Sequence, residues 1–437
     1  MVLEVLERLD QGQGAIEALV DRAFARSRAD HRDRRFMYEL LNGVLRERIR
    51  LDYVITHHLD DPHIARNRDL MRVLEIGAYQ VLGMDKVPPH AAVNEAVKLT
   101  KWYADLQRFS GVVNAVLRAI VADRGQVPLP GPEDLPQRLS IEYSHPVWLV
   151  RRWLDRYGLT GTRALLRYNN EQPVTYLRRR MRGISRQQFE AESRELCDRV
   201  PGYGSLYYRL TRRGMAPEDI RLLQLGACTV QSPSAGWVVA MTDPAPGDRI
   251  VDVCSAPGGK AALLAEVVGE EGSVCACDVS PARLRKVADT RRRMDLRNIY
   301  PLVCDGRRLP FDGWFDKALV DAPCSGTGVL QRHPDARTAR MEDDIGRVTP
   351  VQEELLEAAA GLVGPGGVVV YATCSLETEE NEQQVIRFLA RHPEFALEKP
   401  PREIPQQYVD LDGYLRITPW EHALDGAFAA RLRKHAK

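Results

Sequence analysis

The sequence predicts a multidomain protein: an all-α bundle, a small α+β segment and a doubly wound α/β domain. Three observations carry this reading. Apolar residues repeat at helical spacing through roughly the first 120 positions, a Pro- and Gly-rich stretch follows, and after about position 226 apolar strand-like runs alternate with helix-like stretches. At 437 residues the chain also exceeds what one hydrophobic core holds, so two or three domains are expected.

The bundle is read from stripes. Leu70, Val73, Leu74, Gly77, Ala78, Val81 and Leu82 fall on one helical face, as do Met37, Leu40, Leu41, Val44 and Leu45. Pro88 and Pro89 break the pattern before a helix around 91–101, and a last helix carries Val112, Val113, Val116 and Leu117. The bundle is assigned to 1–124 and a linker to 125–139, where GQVPLPGPEDLPQ packs four prolines and two glycines into a stretch no helix or central strand accommodates. Residues 140–225 read as a small α+β segment: a helix-like stretch from Pro146, a strand-like TYLRRR and a polar helix. From 226 to 437 the runs RIVDVC, SVCACDV, IYPLVCD, KALVDAP and GGVVVYATCS have the continuous apolar character of a parallel sheet covered on both faces.

Composition bounds the function classes. Apolar residues make up 44% and charged residues 28%, and no apolar run approaches a membrane span, so a cytoplasmic protein with no membrane partner is expected, and a monomer. The net charge of +1 supplies no global pull toward nucleic acid, but Arg178, Arg179, Arg180 and Arg182 form a local cluster, as do Arg212 with Arg213 and Arg291 with Arg292 and Arg293. The first cluster is expected to touch RNA phosphates. None of the eight cysteines lies in a CxxC, which argues against a zinc site, a disulfide framework or a thiol redox enzyme.

The first strand of the α/β domain ends in DVCSAPGGK, where Gly258 and Gly259 permit a tight turn and a close approach to a ligand at the next helix. Asp278 ends the second strand, suited to ribose hydroxyls, and Cys304-Asp305 ends the third. This spacing alone does not separate a dinucleotide from S-adenosylmethionine. The fourth strand delivers Asp321-Ala-Pro-Cys324 and the fifth Tyr371-Ala-Thr-Cys374, so two cysteines sit just past strand ends on the predicted ligand edge. One cysteine there is ordinary core filler; two on successive strands are hard to explain as packing.

DVCSAPGGK, DAPCSGTG and YATCSLETEENEQQV resemble the motifs of the RNA cytosine-carbon-5 methyltransferases, the Nol1/Nop2/Sun family. The resemblance implies S-adenosylmethionine as cofactor, held by Cys254, Ser255, Ala256, Pro257, Gly258, Gly259 and Lys260 with Asp278, Asp305 and Asp321. It implies Cys374 as nucleophile, Cys324 as the cysteine assisting product release, and Asp321 as part of the catalytic set. The chemistry fits: carbon 5 of cytosine is a poor nucleophile until a thiolate adds to carbon 6. RRFMYELLNGVLRERIRLDYVI, IGAYQVLGMDKVPPHAAVNEAV and FSGVVNAVLRAI are similar to the NusB-like RNA-binding domain fused to the bacterial Sun/RsmB enzymes, which implies small-subunit (16S) ribosomal RNA as partner, naked or in an early particle.

Two segments depart from the family pattern. Asp425-Gly-Ala-Phe-Ala-Ala-Arg431 lacks an aromatic and a lysine of the usual DGFF-type segment, and Gln231-Ser-Pro-Ser-Ala235 stands where QDASA is common. His333 is expected in a loop, the acidic run 377–382 is expected to supply helix N-terminal charge, and Trp102 and Tyr103 are expected in the core. The competing reading is an RNA-binding assembly or antitermination factor with a vestigial methyltransferase domain. The complete GG loop and both cysteines weigh against it.

Overall fold

The computed structural model describes residues 1–27, 29–202, 205–211 and 220–436. Arg212 and Arg213 lie outside them. Two compact units emerge: one comprises 1–171 with 330–341, the other 172–329 with 342–437.

The first unit is helical: α1 (Val2–Asp10), α2 (Ile16–Ala25), α3 (His31–His57), α4 (Arg68–Gly83), α5 (Pro89–Lys101), α6 (Ser110–Asp123), α7 (Leu135–Tyr143) and α8 (Val147–Asn170). The stripes do what their spacing requires. Leu41, Val44, Leu70, Val73, Leu74 and Leu117 are fully shielded within one core. A charged cluster is buried beside it, where Arg48 bridges Asp10 at 2.7 Å and Glu75 at 3.1 Å. Trp102 and Tyr103 are not core residues: they follow the end of α5, and Trp102 is 83% exposed.

The expected linker is shorter than 125–139. Asp134 accepts a hydrogen bond from Gln137 N and caps α7, and Pro136 sits in the first turn, where its missing N–H costs nothing. With α7 and α8 in the helical unit, the chain divides at 171/172 and not within the Pro-rich stretch.

The second unit opens with an antiparallel sheet in the order β2-β3-β1-β4, made of β1 (Tyr176–Arg179), β2 (Cys197–Arg199), β3 (Tyr207–Leu210) and β4 (Cys228–Val230), with α9 (Arg186–Ser193) and α10 (Arg221–Gln224). The doubly wound part follows: α11 (Pro233–Met241), β5 (Arg249–Asp252), α12 (Gly259–Val268), β6 (Ser273–Asp278), α13 (Pro281–Arg293), β7 (Ile299–Val303) and β8 (Phe315–Asp321). The short α14 (Asp335–Ala339) counts with the helical unit, through Arg337 (below). After it come α15 (Asp343–Gly361), β9 (Val363–Thr373), α16 (Glu382–Arg391), β10 (Phe395–Glu398), β11 (Leu415–Ile417), α17 (Pro419–His422) and β12 (Ala427–Lys434).

The large sheet runs β10-β12-β9-β8-β5-β6-β7, with β11 paired to β12. Strands β9, β8, β5, β6 and β7 are parallel, and β12 closes one side antiparallel to β9. Alternate residues face opposite layers, as the strand period demands. Ile250, Leu319 and Val370 pack with Leu263, Leu264 and Val287, while Val251, Val320 and Tyr371 pack with Leu355, Leu356 and Phe388.

The arginine cluster proves to be structural at its first members. Arg178 is fully buried on β1 and ion-paired with the equally buried Glu266 of α12, whose other oxygen accepts Met181 N at 2.7 Å. Arg179 donates to the carbonyls of Ser205, Arg180 and Ile184. A strand in the middle of a sheet points alternate arginines inward, and Arg178 cannot reach a phosphate. Arg293 likewise spends its guanidinium on the carbonyls of Leu223 and Cys228. Arg178→Ala leaves Glu266 buried without its cation, so we expect a loss of about 3–5 kcal/mol in stability. Chemical denaturation reads this, and an unchanged midpoint overturns it.

Candidate active site

Strand order reverses at β5. From it the chain steps outward through β6 to β7, then returns to build β8 and β9 on the other side. Such a reversal opens a crevice at the carboxyl ends of the strands. The predicted residues arrive there from successive strands, and the loop after β5 is stitched to its neighbour. Ser255 N donates to Cys277 O at 2.8 Å, Ala256 N to Asp278 Oδ2 at 3.3 Å, and Arg283 Nη2 to Ala256 O at 2.9 Å. Gly258 adopts φ +100°, and a side chain there would stand 3.0 Å from Val287 Cα, so glycine is needed for both reasons. The helix α12 begins immediately, leaving its first N–H groups for a ligand.

Asp278 is nearly buried, and its second oxygen accepts Ser280 N at 2.9 Å. Asp305 lies one strand further out, held bidentately by Arg307 at 3.0 and 2.7 Å; that guanidinium draws its carboxyl down to about 2. Cys254 is half-buried at the start of this loop, where burial and the surrounding aspartates push its thiol up. Across the reversal Lys260 Nζ donates to Asp321 Oδ2 at 2.6 Å. Burial works against the Lys260 charge, but Asp321 and Asp252 outweigh it and hold the ammonium above its ordinary range.

Adjacent parallel strands then bring the two cysteines together. Asp321 on β8 pairs in register with Ala372 on β9, and Ala322 N donates to Ala372 O at 2.8 Å. Three residues past Asp321 and two past Ala372, the sulfurs of Cys324 and Cys374 are 3.2 Å apart. Both are free thiols. The contact with the Cys374 sulfur, in which either thiol can donate, pushes the Cys324 thiol well up together with burial.

Two residues at this edge escaped the sequence reading, and a third was named there only as a departure from the family pattern. Glu380, expected to serve as helix N-terminal charge, is fully buried and takes hydrogen bonds from both cysteine loops. Asp252 is buried with its carboxyl beside the Ser255 hydroxyl, and neither group makes a well-formed hydrogen bond among the described residues. Gln231, first residue of the atypical QSPSA segment, accepts from Tyr207 and lies 3.4 Å from where a Gly259 side chain would begin. Spacing from strand ends could have flagged Asp252; nothing local marks Glu380.

The second atypical segment packs against the cysteines. Gly426 N donates to Gly328 O at 2.8 Å, and Gly328 N to Cys374 O at 3.0 Å. A side chain on Gly328 would come within 2.6 Å of that carbonyl. Arg431, in place of the family's lysine, is nearly buried and bonded to Glu398 and Met241 O. The QRHPDAR loop joins the helical unit, where buried Arg337 donates to the carbonyls of Arg46, Ser144 and Asn169 and to Asn170 Oδ1. His333 itself is exposed.

Burial, and next the charge of Asp321, raise the Asp252 carboxyl from 3.8 to about 7. A raised carboxyl means the fold prefers the protonated form, so this group's contribution to stability drains away as pH climbs from about 4 to about 7. Asp252→Asn removes that dependence. We expect the ligand-free variant to gain on the order of 1–3 kcal/mol over the parent at pH 8 and to lose that advantage near pH 4. Parallel stability curves across this range sink the assignment.

A family model described as 16S rRNA methyltransferase RsmB/F matches residues 239–433, and the NusB family model matches residues 1–122. The chain is 31% identical over 451 residues to the probable ribosomal RNA small subunit methyltransferase B of Bacillus subtilis (strain 168), covering 99% of this chain and 98% of that one. It is 35% identical over 441 residues to the protein of the same name in Synechocystis sp. (strain ATCC 27184 / PCC 6803 / Kazusa), covering 98% of each. The crystal structure of PH0851 matches with a TM-score of 0.81 at 25% identity, over 99% of this chain and 98% of that one. With the helical bundle, the cofactor loop at the strand reversal and these full-length matches, the chain belongs to the RsmB family of S-adenosylmethionine-dependent ribosomal RNA methyltransferases.

Proposed function

We propose that this protein methylates carbon 5 of a cytosine in small-subunit ribosomal RNA through a covalent bond from Cys374 to carbon 6 of the base. The observation that carries the reading is the 3.2 Å approach of the Cys324 and Cys374 sulfurs beside the Lys260–Asp321 pair, at the edge where the cofactor loop opens. The names of the curated relatives supply the RNA.

The cradle suits the cofactor. Asp252 and Ser255 lie buried side by side with no well-formed hydrogen bond among the described residues, and Gly258 and Gly259 keep side chains out of the loop. Residues 254–260 with Asp252 and Asp278 would hold S-adenosylmethionine, with Asp305 at the outer strand and Asp321 facing the reacting end. When bound, the cofactor supplies an electrophilic methyl group on a positively charged sulfur.

The protein's own part follows from the positions of its groups. A stacked base is out of reach, so the cytosine enters flipped, from a loop or a single strand. Cys374, its thiol proton given up to solvent, adds to carbon 6 as a thiolate, and the Lys260–Asp321 pair meets the charge that develops at ring N3. Carbon 5, now enamine-like, takes the methyl group. A base then removes the proton on carbon 5, the carbon–sulfur bond breaks, and Cys324, the neighbouring thiol, serves this release. The bundle of 1–124 and the small sheet between 172 and 230 serve to bind RNA, with the catalytic chemistry in the remainder.

Two measurements test this. Asp278→Ala should weaken S-adenosylmethionine binding by roughly 1.5–3 kcal/mol in a calorimetric titration, the loss of a hydrogen bond to a charged group; unchanged affinity removes Asp278 from the cofactor site. Cys374→Ala should abolish both methyl transfer and any denaturant-resistant RNA adduct, whereas Cys324→Ala should accumulate the adduct. An adduct formed by Cys374→Ala but not by Cys324→Ala would exchange the two roles.

A further inference from the structure

We propose that Glu380 is the positioning residue of the reaction: its buried carboxylate staples the two cysteine loops together and thereby sets the distance between their sulfurs. The inference rests on the reading of Cys374 and Cys324 given above, and deepens it.

Glu380 sits in the single turn Thr378–Glu380 between β9 and α16, fully shielded from solvent. One oxygen accepts Ser325 N at 2.7 Å and Gln352 Nε2 at 3.1 Å; the other accepts the hydroxyls of Ser325 and Ser375. Ser325 follows Cys324 and Ser375 follows Cys374, and their hydroxyls are themselves 3.0 Å apart. One anion therefore grips both chains a single residue beyond each sulfur. A carboxylate offers about four acceptor sites, and here all four are filled by donors. That leaves Glu380 no capacity as an acid or base toward substrate.

The staple is itself held from outside. Tyr371 on β9 donates its hydroxyl to the Glu380 carbonyl at 2.6 Å, and Gln352 on α15 also donates to Pro323 O at 2.9 Å. Asn381 donates to Ser375 O at 2.9 Å. The anion is thus surrounded by donors from both cysteine loops and from α15. Charge-assisted bonds of this kind are the stronger class and are geometrically demanding. Glutamine has the same shape but turns one acceptor into a donor facing donors. It should loosen the two loops without emptying the space.

The test uses the full chain with Glu380→Gln, and with a Ser325→Ala/Ser375→Ala variant in case the first does not bind cofactor and is unfolded. Two readouts are taken. One is steady-state methyl transfer to unmethylated 16S RNA. The other is closure of a Cys324–Cys374 disulfide by diamide, an azo oxidant that takes up the two thiol hydrogens as it becomes a hydrazine; peptide mapping locates the bond. Each variant should lower kcat by about tenfold or more, with RNA KM within about twofold, because misplacement of reacting groups acts on the chemical step. Disulfide closure should slow in parallel. Closure at the parental rate in a variant that binds cofactor overturns the proposal, whatever happens to kcat. Slowed closure with undiminished methyl transfer supports Glu380 as the staple and instead overturns the two-cysteine reaction.

Discussion

The constraint on which the rest depends is the reversal of strand order at β5. A parallel sheet sends every carboxyl end to the same edge, and the reversal parts the neighbouring loops there. Without it, Lys260 after β5 and Asp321 at the end of β8 could not meet at 2.6 Å across the crevice. Nor would the cofactor loop and the two cysteine loops share one rim. Five strands separated by long stretches of sequence become one site because their hydrogen-bonded register leaves them no alternative.

Around that rim the protein deals with buried charge in two ways. Glu380 is saturated with donors, and Glu266 is matched by Arg178, so both carboxylates act as fasteners. Asp252 is buried with no well-formed hydrogen bond among the described residues, and its carboxyl is pushed toward protonation. A structure tolerates such an orphan where a ligand completes it, and Asp252 lies under the cofactor loop. The contrast separates groups that hold the site from groups that wait for an occupant.

The cysteines illustrate the same division. Cys277, buried on β6, is raised by burial and serves as packing within the sheet. Cys324 differs in where its sulfur partner lies: Cys374, 3.2 Å away, comes from the next strand's loop on the same rim. Glycine packing enforces the arrangement, since Gly328 must lie against the Cys374 carbonyl and against Gly426 at once. The altered DGAF segment retains the glycine that this contact requires.

Local chemistry was legible along the chain. The helical stripes, the alternation of apolar runs, the GG turn after β5 and the cysteines at two strand ends are all properties of neighbouring residues, and periodicity or turn chemistry exposes them directly. What distant segments do to one another was not legible. Arg178 belongs to an arginine run that looks like a phosphate clamp, and only its place on a central strand, opposite Glu266, turns it inward. Trp102 has a core composition but falls at a helix end with nothing over it, and QRHPDAR joins the helical unit through a guanidinium that meets carbonyls far away in sequence. Glu380 looked like one acid among several. Tertiary packing alone decided that its side chain would point between two loops fifty residues apart, because burial and partnership are properties of the folded neighbourhood and not of the residue.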